Sequence, residues 1–141
     1  MILAGGFATR LRPLSCSKPK LLFPIVGMPL VESMARWFSW GGVNQIILAV
    51  NHLSDKLKIE VGHRVAGVTV EFSIEETPLG TAGPIRLASN LLSEDEPFFV
   101  TNGDIVSNID IRRMLVMHEE TRQMQQLLWS PSPTLPHMAQ S

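Results

Sequence analysis

A glycine turn and two cations near the start of the chain are the first residues that could perform chemistry. Gly5 and Gly6 follow a short apolar run, and Arg10 and Lys20 come later in the same stretch. Glycines after a strand allow backbone N–H groups to approach phosphate oxygens closely. Arginine offers phosphate a planar fork of donors, whereas lysine offers a point charge. Two cations on one loop therefore indicate a polyphosphate site, although a Gly-Gly turn alone is also common at a protein surface.

A pair of acidic residues, Glu75 and Glu76, comes directly after an alternating apolar segment and is followed by Gly80. Guanine presents two adjacent donors, N1–H and the 2-amino group, and one carboxylate can accept from both. Uracil and thymine present one donor between two acceptors, which a carboxylate matches poorly. Taken alone, the acidic pair indicates a polar turn that caps a helix, whereas beside the first loop it could contact a nucleobase and would then favour guanine.

The third group is Asn102, Gly103 and Asp104, which follow the apolar segment 97–101. An aspartate at the end of a strand is often only a turn residue, because its side chain forms Asx turns. It also places a carboxylate at the end of a buried strand, where it could face a ligand.

The segments that must position these groups alternate between strand and helix patterns. Apolar runs and period-2 alternation predict strands, and apolar residues at helical spacing predict helices. The predicted strands are 1–4, 46–50, 68–74 and 97–101, and the predicted helices are 30–40, 54–61, 80–92 and 109–120, with a long loop over 5–29. This order implies an α/β fold, a Rossmann-like, doubly wound, mostly parallel sheet with helices on both faces. All three groups then fall at the carboxyl ends of strands, where such folds bind ligands.

Composition excludes several classes of protein. The chain has 141 residues, 45% of them hydrophobic and 18% charged, which is typical of one globular domain. A net charge of −1 gives no basic field for nucleic acid or an anionic membrane. Glycines and prolines interrupt the longest apolar stretch before it could span a bilayer, and the first residues do not resemble a signal peptide. A cytoplasmic protein without a membrane or nucleic-acid partner is expected.

The first loop resembles the signature of the sugar-phosphate nucleotidyltransferases, Gly-Gly-x-Gly-Thr-Arg-Leu-x-Pro followed by Pro-Lys. The matching residues are Gly5-Gly6-Phe7-Ala8-Thr9-Arg10-Leu11-Arg12-Pro13 and Pro19-Lys20. Ala8 stands where the family usually has glycine, so a positive φ there would strain the loop. The loop is neither a Walker loop nor a dinucleotide fingerprint, which disfavours a dinucleotide-dependent oxidoreductase. The later string Pro-Leu-Gly-Thr-Ala-Gly-Pro, residues 78–84, is similar to the mannose-1-phosphate guanylyltransferase branch.

The resemblance implies an enzyme that joins GTP to a sugar 1-phosphate, most specifically mannose 1-phosphate, and yields GDP-mannose and pyrophosphate. It assigns catalytic roles to Arg10, Lys20 and Asp104, with Asp104 as the ligand of a Mg²⁺ cofactor. The nucleotide-binding set that it implies is Leu3, Ala4, Gly5, Gly6, Thr9, Arg10, Lys20, Glu75, Glu76, Gly80, Asn102 and Gly103. Two alternatives remain open: a uridylyl- or thymidylyltransferase acting on glucose 1-phosphate, and an inactive nucleotide-binding or regulatory remnant.

The resemblance covers residues 1–120, which we assign to the nucleotide-binding part of a transferase domain. Residues 121–141 contain a Ser-Pro-Ser-Pro segment and no strand pattern, so an extended or disordered tail is predicted. The family's sugar-binding half and second metal carboxylate would lie beyond residue 120. Activity of this chain alone is therefore doubtful, and an apolar edge that favours association or homo-oligomers is expected.

Overall fold

The computed structural model describes residues 1–6, 11–16, 18–51, 54–77, 79–93 and 96–121. Within these ranges the strands are β1 (Ile2–Leu3), β2 (Pro24–Ile25), β3 (Met28–Pro29), β4 (Gln45–Val50), β5 (Arg64–Val65), β6 (Val68–Ile74) and β7 (Thr101–Asn102). The helices are α1 (Leu30–Trp40), α2 (Ser54–Val61), α3 (Gly83–Leu87) and α4 (Ile111–Thr121). The predicted α/β fold is confirmed.

The main sheet has five strands in the order β5-β6-β4-β1-β7. The strands β6, β4, β1 and β7 run parallel, and only β5 pairs antiparallel, with β6. From β1 the chain adds β4 and then β6 on one side of the sheet, and it later adds β7 on the other side of β1. The direction in which strands are added therefore reverses at β1. Such a reversal leaves a crevice at the carboxyl ends of the strands, where doubly wound folds bind their ligands.

Side chains of β4 alternate between two apolar layers. Ile46, Leu48 and Val50 pack in one layer with the apolar faces of α1 and α2, while Ile47 and Ala49 pack in the other with residues of and after α3. Because successive strand residues point to opposite faces, a strand buried on both sides must be apolar throughout. Helices therefore cover both faces of the sheet, as expected. No helix in the described ranges has the length and apolar character that crossing a membrane requires.

Several predicted boundaries agree with the structure and three do not. The helix at 30–40, the helix at 54–61 and the strand at 68–74 are confirmed. The predicted helix at 80–92 is wrong in length, since α3 covers only Gly83–Leu87 and a separate 3-10 turn follows at Ser89–Leu91. Gly80 has φ 73°, which no right-handed helix contains, and the chain leaves helical geometry at Ala88.

The predicted strand at 97–101 is also corrected, because β7 pairs only over Thr101–Asn102. Its neighbour β1 is two residues long and offers two ladder positions, so residues 97–100 have little to pair with. The stretch 5–29 is not a continuous loop. Its described part contains two 3-10 turns, Leu14–Cys16 and Lys20–Leu22, and the β2–β3 hairpin.

The turn of the β2–β3 hairpin places a β-branched residue in the left-handed region. Val26 has φ 52° and its side chain is fully exposed, and Gly27 follows with φ 79°. Two-residue hairpin turns with two positive φ angles favour Asn-Gly, because asparagine adopts this conformation with less strain than valine.

We predict that Val26→Asn stabilises the protein by about 1 kcal/mol, since it relieves backbone strain and removes no buried contact. Urea denaturation measures the change. The same substitution at Val106, which is exposed but lacks a positive φ, should change the free energy of unfolding by less than about 0.5 kcal/mol. Equal effects of the two substitutions would contradict the interpretation that the backbone at Val26 is strained.

Candidate functional site

The carboxyl ends of the four parallel strands meet around one open cavity of about 440 Å³. Gly5 and Gly6 follow β1, Asn51 follows β4, Glu75 follows β6, and Gly103 follows β7. All of these residues line the cavity. Its remaining lining residues are Leu3, Ala4, Lys20, Leu21, Leu79, Gly80, Thr81, Pro84, Asn102 and Asp104.

Backbone hydrogen bonds fix the end of β1 on both sides just before the glycine turn. The Ala4 N–H donates to the Ala49 carbonyl at 2.7 Å, and the Gly103 N–H donates to the Leu3 carbonyl at 2.8 Å. The glycine turn is therefore held between the ends of β4 and β7.

Gly5 packs against the carboxylate of Glu75. A Cβ atom at Gly5 would lie 2.8 Å from Glu75 Oε1, closer than real side chains approach, so any larger residue there would require the Glu75 carboxylate to shift. Glu75 is 8% exposed, and its other carboxylate oxygen, Oε2, accepts a hydrogen bond from the Leu79 N–H at 3.2 Å. This buried carboxylate thus joins the glycine turn to the loop before α3.

Lys20 and Asp104 form an ion pair inside the cavity. Lys20 Nζ donates to Asp104 Oδ2 at 2.5 Å, although the residues are 84 positions apart in the sequence. The Lys20 hydrogen bond lowers the pKa of Asp104, and partial desolvation opposes this shift. Asp104 is therefore ionised at neutral pH, and its side chain remains 52% exposed towards solvent.

Most residues that the sequence suggested lie together in this cavity. They are Leu3, Ala4, Gly5, Gly6, Lys20, Glu75, Gly80, Asn102, Gly103 and Asp104. Glu76 is different, because it is exposed and does not line the cavity. Thr9 and Arg10 lie outside the described residues.

Sequence reasoning missed five of the lining residues, namely Leu21, Asn51, Leu79, Thr81 and Pro84. Asn51 could have been identified from the sequence, since it directly follows the buried run 46–50 and residues at such positions face the ligand crevice. Leu79 and Thr81 flank the glycine already singled out. Leu21 gave no signal beyond its apolar character, which usually means core.

The described residues contain no group of three or more histidines, cysteines or acidic residues that could hold a metal ion by themselves. Asp104 is a single carboxylate, with Lys20 against one of its oxygens. Mg²⁺ is commonly held by one or two carboxylates together with substrate phosphates. Asp104 fits that mode of binding, in which a nucleotide supplies further ligands.

We predict that Gly5→Ala destabilises the protein by about 1 kcal/mol, because the Glu75 carboxylate must shift away from the added methyl group. Gly6→Ala is the matched control, since no atom lies within 4 Å of a Cβ at that position. Denaturant unfolding of both variants measures the difference. The Gly5→Ala cost should fall strongly in a Glu75→Ala background, and an unchanged cost there would disprove the contact.

Solved structures of other proteins share this fold. HddC from Yersinia pseudotuberculosis superposes with a TM-score of 0.72 at 32% identity, covering 83% of this chain and 52% of that chain. The same protein complexed with GMP-PN matches at 33% identity. A putative glucose-1-phosphate thymidylyltransferase from Bacillus anthracis gives a TM-score of 0.73 at 24% identity, which supports the fold alone.

Curated relatives carry a consistent name. The mannose-1-phosphate guanylyltransferase catalytic subunit beta of Dictyostelium discoideum is 39% identical over 121 residues, and that of Xenopus tropicalis is 40% identical over 122 residues. Each alignment covers 84% of this chain and 34% of the relative, so the chain spans about a third of their length. The model of the nucleotidyl transferase family matches residues 1–138, and the chain belongs to that family.

Proposed function

We propose that this chain is the nucleotide-binding part of an enzyme that transfers GMP from GTP to mannose 1-phosphate, giving GDP-mannose and pyrophosphate. The observation that carries the proposal is one cavity with a buried carboxylate, Glu75, at one strand end and a cation, Lys20, beside the glycine turn. The guanylyltransferase names of the relatives and the GMP-PN complex of a neighbour support the choice of guanine.

Base recognition is assigned to Glu75. Its Oε2 already accepts one hydrogen bond from the Leu79 N–H, but each carboxylate oxygen can accept two. The carboxylate can therefore still accept from guanine N1–H and the 2-amino group. Since Glu76 lies outside the cavity lining, one carboxylate rather than the acidic pair reads the base.

Phosphate binding is assigned to the glycine turn and to Lys20, with Arg10 contributing by resemblance to the family. In the reaction an oxygen of the sugar phosphate attacks the α-phosphorus in line and forms a new P–O bond. The bond from the α-phosphorus to the bridging oxygen breaks, and pyrophosphate leaves with that electron pair. Lys20 would stabilise negative charge on the phosphates, so catalysis consists of positioning and electrostatic stabilisation.

A magnesium ion would be held by Asp104 together with the phosphates of the nucleotide. When bound, such an ion neutralises phosphate charge and orients the leaving pyrophosphate. Lys20 donates a hydrogen bond to one oxygen of Asp104, so a bound ion would share this carboxylate with the lysine or take its place. The triphosphate gives Lys20 an alternative anionic partner.

The relatives are about three times longer than their matched part. The sugar-phosphate site and complete turnover are therefore proposed to need residues that this chain does not contain. The exposed edge of the sheet at β7 supports an interface with such residues. β7 is an edge strand, and Phe98, Val100, Ile105 and Val106 beside it are at least 40% exposed. Homo-oligomers and a cytoplasmic location stay predictions. The predicted tail lies outside the described residues except for Thr121, which ends α4.

We predict that GTP binds more tightly than UTP or dTTP, and that Glu75→Gln lowers GTP affinity by about 10–100-fold, because charged hydrogen bonds to the base are lost. Calorimetric titration with Mg²⁺ present measures both. Glu76→Gln is the matched control and should leave the preference unchanged. Tighter binding of UTP or dTTP would exclude the guanine assignment, and equal effects of the two variants would exclude Glu75 as the base-reading residue.

We predict that Lys20→Met changes metal and nucleotide binding in opposite directions. Removing the ammonium group frees Asp104, so the affinity for Mn²⁺ without nucleotide should rise by up to about fivefold, as expected for an exposed ion pair. GTP affinity should fall by about 10–100-fold, because Lys20 no longer contacts phosphate.

Electron paramagnetic resonance of free Mn²⁺ and calorimetry of GTP measure the two effects separately. Lys58→Met is the control, since Lys58 also pairs with an aspartate, Asp55 at 3.9 Å, but lies outside the cavity lining. A fall in the affinity for Mn²⁺ alone in the Lys20 variant would contradict competition at Asp104.

A further inference from the structure

Asn51 contacts the glycine turn but has no part in the functions assigned above. It directly follows β4, is partly buried and lines the cavity. Its side-chain Nδ2 donates a hydrogen bond to the backbone carbonyl of Gly5. This contact joins the end of one central strand to the turn that follows its neighbour.

The contact determines the orientation of a whole peptide group. The Gly5 carbonyl and the Gly6 N–H belong to one planar peptide, and the only cis peptide bond within the described residues is Arg12–Pro13. In a trans peptide the N–H points away from the carbonyl, so the Gly6 N–H points away from the Asn51 donor. No described residue accepts a hydrogen bond from this N–H.

Glycine needs such a restraint more than other residues do. A Gly-Gly pair samples a wide range of φ and ψ, and the peptide between the two glycines can rotate at little cost. The Glu75 carboxylate limits Gly5 on one side by close packing, but it makes no hydrogen bond to the Gly5–Gly6 peptide. Asn51 alone among the described residues fixes that peptide through a polar contact.

We propose that Asn51 is a positioning residue for phosphate binding, which holds the Gly5–Gly6 peptide so that the Gly6 N–H can donate to a phosphate oxygen of the nucleotide. The inference rests on the proposed nucleotide-binding function and adds a residue to it. An amide suits this position because it can donate to a carbonyl, whereas a carboxylate in its place would repel the Gly5 oxygen. Preorganised donors bind without the entropic cost of ordering the turn.

The test compares a nucleotide with its nucleoside. In Asn51→Leu, which keeps the approximate shape and lacks the donor, we expect the affinity for GTP to fall about tenfold while the affinity for guanosine stays unchanged. Calorimetry or ligand-detected NMR measures both affinities. Asn44→Leu makes the same substitution at an exposed asparagine outside the cavity lining and should alter neither.

An equal loss of affinity for GTP and guanosine would overturn the proposal, and so would no loss of affinity for either ligand. Each of these results excludes a specific effect of Asn51 on phosphate binding. If Asn51→Leu does not fold, Asn51→Ala is measured in the same way, since it removes the donor without adding bulk. If the wild-type chain prefers UTP, the guanine assignment fails, and the Asn51 test is then made with UTP and uridine. If no nucleoside triphosphate binds, both proposals fail.

Discussion

The position of β1, between β4 and β7, is the constraint on which the site depends. Because β1 pairs in parallel with both neighbours, its carboxyl end leads into a turn with another strand end on each side. The turn therefore meets Asn51 and Glu75 from one direction and Gly103 from the other. The close approach between Gly5 and the Glu75 carboxylate follows from this crowding, and it favours a residue without a side chain at the start of the turn.

Much of the fold was accessible from hydrophobic periodicity. The strand at 68–74 alternates apolar and polar residues, and the helix at 30–40 has apolar residues on one face, so local patterns were sufficient. The general location of the site was also accessible, because the carboxyl ends of parallel strands lie at one edge of a sheet. Where the sequence motif was specific, at Gly5, Gly6 and Lys20, it identified residues that the fold brings into one cavity.

Features that depend on distant residues could not be predicted in this way. The sequence does not reveal that Lys20 contacts Asp104, because 84 positions separate them and only the sheet topology brings them together. The two-residue strands carry too few residues for any period to be detected. The difference between Glu75 and Glu76 also depends on the tertiary structure, since Glu75 is buried against Gly5 whereas Glu76 is exposed.

The central position of β1 also affects how the protein can acquire its structure during synthesis. The Met1 nitrogen donates to the Phe99 carbonyl at 2.6 Å, across 98 positions of sequence, so one side of β1 stays open until residues near 100 have left the ribosome. Until then the glycine turn has β4 beside it but not β7. Contacts of such long range close late because much chain entropy must be lost first. The glycine turn therefore gains its second neighbouring strand only after the β7 segment has emerged.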